Sequence, residues 1–178
     1  MYAVVETLRG QLLIAAPSLF DYFRRTVVLV IEHTHEGAMG VVLNRESDTR
    51  VADAVPQLAD LADEDDLVRI GGPVAPQSVV ALGEFGDLSE AGMAVVGQLG
   101  TLDPESANES LGRMRVYAGY AGWSAGQLDG ELEQEAWLIA PAQEDDPFSE
   151  EDIWSRALER RGGEYRLLAT MPDDPSQN

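Results

Sequence analysis

Two apolar runs in the first quarter of the chain, separated by the letters THEG, constrain the fold more than any other feature. The first run, residues 27–31, is continuous and almost wholly β-branched, so residues 26–33 must be covered on both faces, as in a central strand. Residues 38–44 form a second run of the same kind. Such a short connection between two strands predicts an antiparallel hairpin inside a sheet.

The other predicted elements follow one another irregularly. Further strands are expected at residues 11–16, 67–70, 78–85, 93–99, 115–120 and 137–140. Helices are expected at residues 51–61, 103–114, 124–133 and 149–161, where N-cap residues, a capping box and terminal glycines mark the limits. Hairpins mixed with isolated helices indicate an α+β fold rather than a doubly wound sheet.

The length of 178 residues is that of one ordinary domain with one hydrophobic core. We expect residues 1–170 to form this single domain and residues 171–178, MPDDPSQN, to form a C-terminal tail. No apolar run is long enough to cross a bilayer, and no basic segment followed by an apolar one is found at the N-terminus. We therefore expect a cytoplasmic protein without a transmembrane helix or signal peptide.

The composition excludes several kinds of chemistry. The chain has no cysteine, which excludes disulfides, thiolate nucleophiles and Cys-based zinc sites. All 12 basic residues are arginine, which excludes a P-loop lysine and a Schiff base. A formal net charge of −20 is repelled by phosphate backbones, so direct binding to nucleic acid is not expected.

The hairpin contains the two histidines of the chain, His33 and His35, with Glu32 and Glu36 beside them. A strand would direct both imidazoles to one side, where they and a carboxylate could bind a metal ion. We nevertheless expect no metal, because the sequence offers neither a third histidine nor a cysteine and the pair lies where the strand gives way to a turn. The structural alternative is a buried, hydrogen-bonded His33 and an exposed His35, and a buried His33 could still act as a general base.

The segment GWSAG, residues 122–126, matches the G-x-S-x-G motif of serine hydrolases and lies between a predicted strand and a predicted helix. Those enzymes need a histidine after the serine, whereas both histidines here precede Ser124, which already has a structural role as a helix N-cap. The GAMG segment of the hairpin does not match a phosphate-binding G-x-G-x-x-G loop, so a turn glycine and a strand glycine are expected there.

Aromatic side chains concentrate in the segment VYAGYAGW, residues 116–123, which the polar residues Gln127 and Glu131 follow. An apolar wall with a few polar groups would suit a small-molecule pocket. The alternative is that these aromatic side chains fill the core beneath the start of a helix.

Several segments together resemble the AlgH/YqgE family, and they occur in the family's order across nearly all of residues 10–168. They are GQLLIAAPSLFDYFRRTVVLVIEHTHEGAMGVVLNR, GGPV, YAGYAGWSAGQLDGELEQEAW and the region of Trp154. The resemblance implies a single cytosolic α+β domain whose bent, mixed or antiparallel sheet forms a pseudo-barrel with flanking helices. It implies no known activity, and family members are often labelled transcriptional regulators. His33 and Gly37 match the family pattern, whereas positions 35 and 124 are open in it, which weakens both the metal site and the hydrolase motif.

These observations favour a binding module for a small ligand or a protein partner, without a cofactor, a metal or direct contact to nucleic acid or a membrane. The candidate surface combines His33 and Asn44 of the hairpin with Trp123, Gln127 and Glu131 around the aromatic turn. Two alternatives stay open. One is a transcriptional regulator, and the other is an enzyme with His33 as base beside a carboxylate such as Glu131. The ligand class and the oligomeric state are not predicted.

Overall fold

Ten strands and three short helices make up the computed structural model, which describes residues 7–17, 19, 21–106, 108–150, 152–163 and 165. The strands are β1 (Gln11–Ala15), β2 (Val27–Thr34), β3 (Gly37–Val42), β4 (Glu46–Arg50), β5 (Leu67–Ile70), β6 (Val74–Phe85), β7 (Ala94–Val96), β8 (Leu99–Thr101), β9 (Leu111–Ser124) and β10 (Trp137–Pro141). The helices are α1 (Val51–Ala54), α2 (Gln127–Glu133) and α3 (Ile153–Arg161), with 3₁₀ turns at Pro56–Leu58, Leu88–Glu90 and Asp146–Phe148. The predicted tail at residues 171–178 lies outside the described residues.

The strands form one mostly antiparallel sheet in the order β10-β1-β2-β3-β9-β6-β8-β7, while β5 pairs in parallel with β9 and carries β4 at its other edge. Within the described ranges no pairing joins β7 to β10, so the sheet is not closed. Its two ends nevertheless approach each other, because a Cβ atom on Gly10 would lie only 2.8 Å from the carbonyl oxygen of Val95 in β7. The sheet is therefore bent like the expected pseudo-barrel, without hydrogen-bonded closure, in an α+β domain.

The predicted central hairpin is confirmed. Strands β2 and β3 pair antiparallel from Val28↔Val42 to Thr34↔Gly37. The apolar run of β2 is buried on both faces, with Leu29 on one side of the sheet and Val28 on the other, in two different hydrophobic clusters. This two-sided burial is what a continuous β-branched run requires. The structure also explains why a glycine occupies position 40 of β3, since a Cβ atom on Gly40 would lie 2.6 Å from the carbonyl oxygen of Leu29.

Three hydrophobic clusters position the helices. The first lies beneath α3, whose Trp154 donates its indole hydrogen to the carbonyl of Ala15 at 2.9 Å. The second lies beneath α2 and contains Trp123 and Trp137. The third lies beneath α1 and contains Phe85. Among the described helices, none has the length and hydrophobicity needed to cross a bilayer.

The helix predicted for residues 103–114 is wrong. The Asp103 carboxylate does accept a hydrogen bond, from the backbone N–H of Glu105 at 2.9 Å, but it closes only a turn, and Leu111 already begins β9. Met114 and Val116 alternate along β9 and pack into the third cluster, so pairing with β6 outweighs the local N-cap signal.

Other predicted limits also change, among them the start of α3, which lies at Ile153 rather than at residue 149. The strand expected at residues 93–99 is two strands, β7 and β8, because the chain turns at Gly97 with a φ of 54°. The helix expected at residues 51–61 is reduced to α1 and a 3₁₀ turn that begins at Pro56, since proline disfavours a helical conformation in the residue before it. Helix α2 begins after Gly126 rather than at Ser124.

The segment between β10 and α3 is held against β9 by Arg113 and Arg115 and against α3 by Arg160. Arg113 binds Glu84 at 2.7 Å and also Asp145. The hydrogen bond from Arg113 lowers the pKa of Glu84 below its usual 4.5, and the two carboxylates raise the pKa of Arg113. This end of β9 is therefore fixed by ion pairs.

Two further arginines complete this ionic contact. Arg115 donates to the carbonyl of Pro147 at 3.2 Å and to Glu150 at 2.8 Å. Arg160 of α3 makes two hydrogen bonds, at 2.7 and 2.9 Å, to Asp146, whose side chain is only 2% exposed. The Asp146–Arg160 pair therefore joins α3 to the segment through a buried carboxylate.

Candidate functional site

Three neighbouring strands bring His33 and Trp123 to the same face of the sheet. His33 of β2 pairs with Ala38 of β3, and Ala38 pairs with Trp123 of β9. Directly paired residues in adjacent strands project to one side, so the histidine and the indole lie in one row with a small alanine between them. Gly37 allows this close packing, because its φ of 144° favours glycine and a side chain there would meet the backbone of Trp123.

His33 is half-buried and bound to the segment before β1. Its Nδ1 accepts a hydrogen bond from the backbone N–H of Leu8 at 3.0 Å, and its carbonyl accepts one from the Thr7 hydroxyl at 3.4 Å. Because Nδ1 is the acceptor, the neutral ring carries its proton on Nε2. The prediction of a hydrogen-bonded His33 and an exposed His35 is thus confirmed, although His33 is not fully buried.

A cleft of about 410 Å³ opens beside His33 at the tip of the hairpin. It is lined by His33, Thr34, His35, Gly37, Ser124, Gly126, Leu128 and Asp129, and we call it the tip cleft. Leu128 is buried and supplies an apolar surface, whereas Asp129 is exposed and supplies a carboxylate. The size lies within the range of small-molecule sites, and the lining offers both a donor, His33 Nε2–H, and acceptors.

Behind the cleft, Glu131 is the centre of a network of neutral donors. One carboxylate oxygen accepts from the indole N–H of Trp123 at 3.1 Å and of Trp137 at 3.0 Å, and the other accepts from the Gln127 amide at 2.9 Å. The Gln127 oxygen accepts in turn from the backbone N–H of Ser124 at 3.0 Å. These bonds fix the start of α2 against β9, so Gln127 and Glu131 position the cleft wall.

The two tryptophans of this network also contact each other and Phe23. The Trp123 and Trp137 rings pack edge to face at 6.0 Å, and Phe23 lies 6.4 Å from the first ring and 5.5 Å from the second. The rings of Trp123 and Trp137 are buried in the second cluster, which supports the interpretation that these aromatic residues fill a core. The segment 116–123 lies in strand β9 rather than in a turn, and the tip cleft is lined by the neighbouring Ser124 and Gly126.

Asn44 lies apart from the other four predicted site residues. Its side chain accepts from the backbone N–H of Val27 at 3.0 Å and donates to the carbonyl of Arg25 at 2.8 Å, so it ties β3 to the turn before β2. It borders a different cavity of about 440 Å³, which Arg69 and Asp146 also line. The structure thus brings His33, Trp123, Gln127 and Glu131 into one region and places Asn44 near the opposite end of the hairpin.

Sequence reasoning missed several residues of this region. The sequence assigns Trp137 only to a core strand and indicates no role for Asp129 or Leu8, whereas the structure places all three in this region. Asp129 could have been found from its spacing, because it lies three residues after Gly126 and residues three apart in a helix are neighbours. Within the described parts of the chain, no three His, Cys, Asp or Glu side chains are placed to hold a metal ion.

Comparison with known proteins gives consistent matches over almost the whole chain. A family model described as AlgH-like matches residues 12–166. A UPF0301 protein of Streptomyces coelicolor is 42% identical and covers 98% of this chain and 97% of its own length. A UPF0301 protein of Thermobifida fusca is 39% identical and covers 97% of this chain and 96% of its own length.

Two solved structures share the fold. The crystal structure of the protein DIP2367 from Corynebacterium diphtheriae has a TM-score of 0.84 at 31% identity and covers 96% of this chain and 95% of its own. The solution structure of the AlgH protein from Pseudomonas aeruginosa has a TM-score of 0.69 at 29% identity and covers 97% and 98%. None of these names specifies a biochemical activity. On the sequence match over residues 12–166, the chain belongs to the AlgH-like family, which the UPF0301 proteins represent.

Proposed function

We propose that this protein is a cytoplasmic binding module that holds a small polar molecule in the tip cleft. The observation that supports this proposal most is the hydrogen bond from Leu8 to Nδ1 of His33, a residue of the cleft lining, because it leaves the Nε2–H of the neutral ring as a donor for a ligand. The Asp129 carboxylate and the Ser124 hydroxyl on the same lining can accept hydrogen bonds. A donor and acceptors around an apolar Leu128 suit a ligand that carries hydroxyl or amine groups.

Charge narrows the ligand class. The chain has a formal net charge of −20, and Glu32 and Glu36 lie at the hairpin beside the cleft residues. A multiply anionic ligand such as a nucleoside triphosphate would be repelled by this field. The ligand proposed here is therefore neutral or cationic.

Binding fits the site better than catalysis does. An enzyme with His33 as base and Glu131 as partner would need a free nitrogen lone pair and a carboxylate at the cleft. In its neutral form His33 presents an N–H at Nε2, and Nδ1 already accepts from Leu8. Both oxygens of Glu131 accept hydrogen bonds from other side chains. These contacts favour binding, since they occupy the atoms with which His33 and Glu131 would take a proton from a substrate.

A role in transcription, which the family label suggests, would on this proposal act through another molecule rather than through direct contact with DNA. Five arginines have a carboxylate within ion-pair distance: Arg50 with Asp53, Arg69 with Glu46, Arg113 with Glu84, Arg115 with Glu150 and Arg160 with Asp146. Paired guanidinium groups in a strongly acidic protein offer little attraction to phosphates.

A thermal-shift screen against a library of neutral and cationic metabolites tests the proposal. A compound that binds the native state raises Tm by mass action whatever its chemistry. We expect its shift to be lost in His33→Ala and strongly reduced in Asp129→Asn. Glu133→Gln is the matched control, because Glu133 is an exposed acid of the same helix outside the cleft lining, and it should keep the full shift. The proposal is wrong if no compound raises Tm, or if the shift is the same in all four proteins.

A further inference from the structure

A second candidate binding surface, separate from the tip cleft, lies along one edge of β6. Strand β6 pairs with β9 from Val74 to Phe85, but on its other side β8 is the strand that pairs with it among the described residues, and it does so at residues 82–84. The backbone N–H of Leu102 extends this cover by one residue, through a 2.8 Å hydrogen bond to the carbonyl of Ala81. The strand is therefore open on that side before Ala81.

Val79 is the residue whose backbone faces the open side. Backbone groups alternate in direction along a strand, so those of Val79 point the same way as those of Ala81. In the described part of the chain, Val79 pairs only with Ala118 on the β9 side. One N–H and one C=O are thus presented to a further strand.

Next to this edge lies a groove of about 300 Å³ between β6 and the turn formed by α1 and Pro56–Leu58, and most of the side chains that line it are apolar. Leu58, Val79, Leu102 and Pro104 contribute to its lining. The side chain of Val79 is 45% exposed, which is high for a valine in a strand. We call Val79, its open backbone and this lining the β6 groove.

The charge around the β6 groove is predominantly negative. Residues 51–68 and 70–112, which supply every residue of its lining, contain no arginine or lysine, and each of the two segments has six acidic residues. Asp103 and Glu105 are exposed and directly adjoin lining residues in the chain, whereas the third neighbouring acid, Asp53, is paired with Arg50. A second copy of this acidic chain would be repelled here, whereas a basic segment would be attracted.

We propose that the β6 groove docks a short, extended, basic segment of a protein partner, which adds a strand at Val79 and inserts an apolar side chain against Leu58 and Leu102. Strand addition uses backbone hydrogen bonds for affinity and side-chain pockets for specificity. This inference goes beyond the proposed ligand at the tip cleft and does not depend on it.

The structure also limits the length of the docked segment. Between Val74 and Val79 the register with β9 shifts, Ala75 has a φ of 45°, and Pro76 cannot donate a hydrogen bond. Such irregularities protect an edge from general strand pairing. The available edge is therefore only a few residues long, and the contact should be weak and reversible.

Fluorescence anisotropy with a labelled hexapeptide of alternating arginine and valine tests the proposal. We expect saturable binding that weakens as salt is raised. Binding to Val79→Ala should be about tenfold weaker, because this variant lacks the methyl groups that the docked peptide would bury. Val74→Ala is the matched control, because Val74 is also exposed, at 37%, but lies on the other side of the irregularity, and it should bind normally. Both variants are checked for an unchanged circular dichroism spectrum.

Two further peptides separate docking from plain charge attraction. Two control peptides should bind at least about tenfold more weakly than the first peptide. One is a hexapeptide of alternating arginine and serine. The other is the first peptide with the backbone amide nitrogens of its valines methylated. Equal binding of the serine peptide, equal effects of Val79→Ala and Val74→Ala, or no binding of the first peptide would each overturn the proposal. Unchanged peptide binding in His33→Ala would show that the groove acts independently of the tip cleft, and a loss there would count against the β6 groove as the binding surface.

Discussion

The two ends of β9 are held by different chemistry. At the first end, Arg113 and Arg115 reach carboxylates in the segment before α3. At the other end, Trp123 donates to Glu131, whose remaining partners are a second indole and an amide. One strand thus joins an ionic contact to a network in which all donors are neutral. Screening by salt weakens the first kind of contact far more than the second.

The largest expected effect is at the ionic end. Arg160→Ala leaves the Asp146 carboxylate buried, with a side chain 2% exposed, and without its guanidinium partner. Removing one member of a buried pair typically costs about 3–5 kcal/mol of unfolding free energy. Urea denaturation at pH 7 measures the loss. The control is Arg50→Ala, whose pair with Asp53 is exposed on both sides and should cost under about 1 kcal/mol. Equal losses in the two variants would contradict the assignment of Asp146–Arg160 as a buried anchor.

The next effect is at the neutral end. Glu131→Ala removes the acceptor of two indoles and an amide, and we expect a loss of about 2 kcal/mol because half-buried donors lose their partner. This loss should be the same at about 0.1 M and about 1 M NaCl, whereas the loss caused by Arg113→Ala should shrink with salt. Glu133→Ala, at an exposed site on the same helix, controls for helix propensity. A strong salt dependence for Glu131→Ala would erase the distinction between the two ends.

A smaller effect of opposite sign is expected midway along β9. Tyr117 is fully buried, and its hydroxyl has no hydrogen-bond partner among the described residues. Tyr117→Phe should therefore raise the unfolding free energy by about 1 kcal/mol, which urea denaturation detects. Burial also raises the pKa of Tyr117, so the folded state favours its neutral form, and wild-type stability should fall as pH rises above about 10, the usual tyrosine value. Tyr117→Phe should lose less stability there, and an equal alkaline loss in both proteins would contradict this.

The smallest effect concerns Glu84 and pH. Because its hydrogen bond to Arg113 lowers the pKa of Glu84, the charged form is favoured by folding. The resulting stability is present above the usual value of 4.5 and is lost as pH falls through the lower folded value. Wild type should therefore lose stability more steeply than Glu84→Gln below pH 4.5, in urea midpoints measured across the acid range. Glu105→Gln, an exposed acid, should keep the wild-type slope. An equal dependence of the urea midpoint on pH in all three proteins would contradict this role of Glu84.

The sequence predicts those parts of the fold whose signals are local. Val28 and Leu29 lie in a run that only a two-sided core could cover, and the hairpin follows from it. Gly162 marks the end of α3, as expected from the glycine signal, whereas the helix begins after Asp152 rather than at the predicted residue 149. The failure at residues 103–114 has the opposite cause. There the cap signal is also local, but Met114 and Val116 find partners on β6, which no neighbour in the sequence indicates.

The candidate site is only partly predictable for the same reason. Gln127 and Glu131 are four residues apart in a helix, so their contact follows from spacing. The donation from Trp137 to Glu131 depends on where β10 lies in the sheet, and the separation of Asn44 from His33 depends on the length of the hairpin strands. The role of Leu8 could not be predicted, because a backbone N–H bonds to His33 without any residue-specific signal.

The sheet order has a consequence for synthesis of the protein. Strand β1 pairs with β2 on one side. On its other side it pairs with β10, the last strand in the chain, where Gln11 lies opposite Pro141. During translation, β2 can therefore reach β1 early, while the outer edge of β1 stays uncovered until residue 141 has left the ribosome. That edge belongs to a fully buried, apolar segment, Leu12–Ala15, which is the kind of edge that promotes aggregation. We therefore expect a nascent chain stopped before Trp137 to bind chaperones. The large sequence separation between the paired strands β1 and β10 also predicts slow folding for a chain of this size.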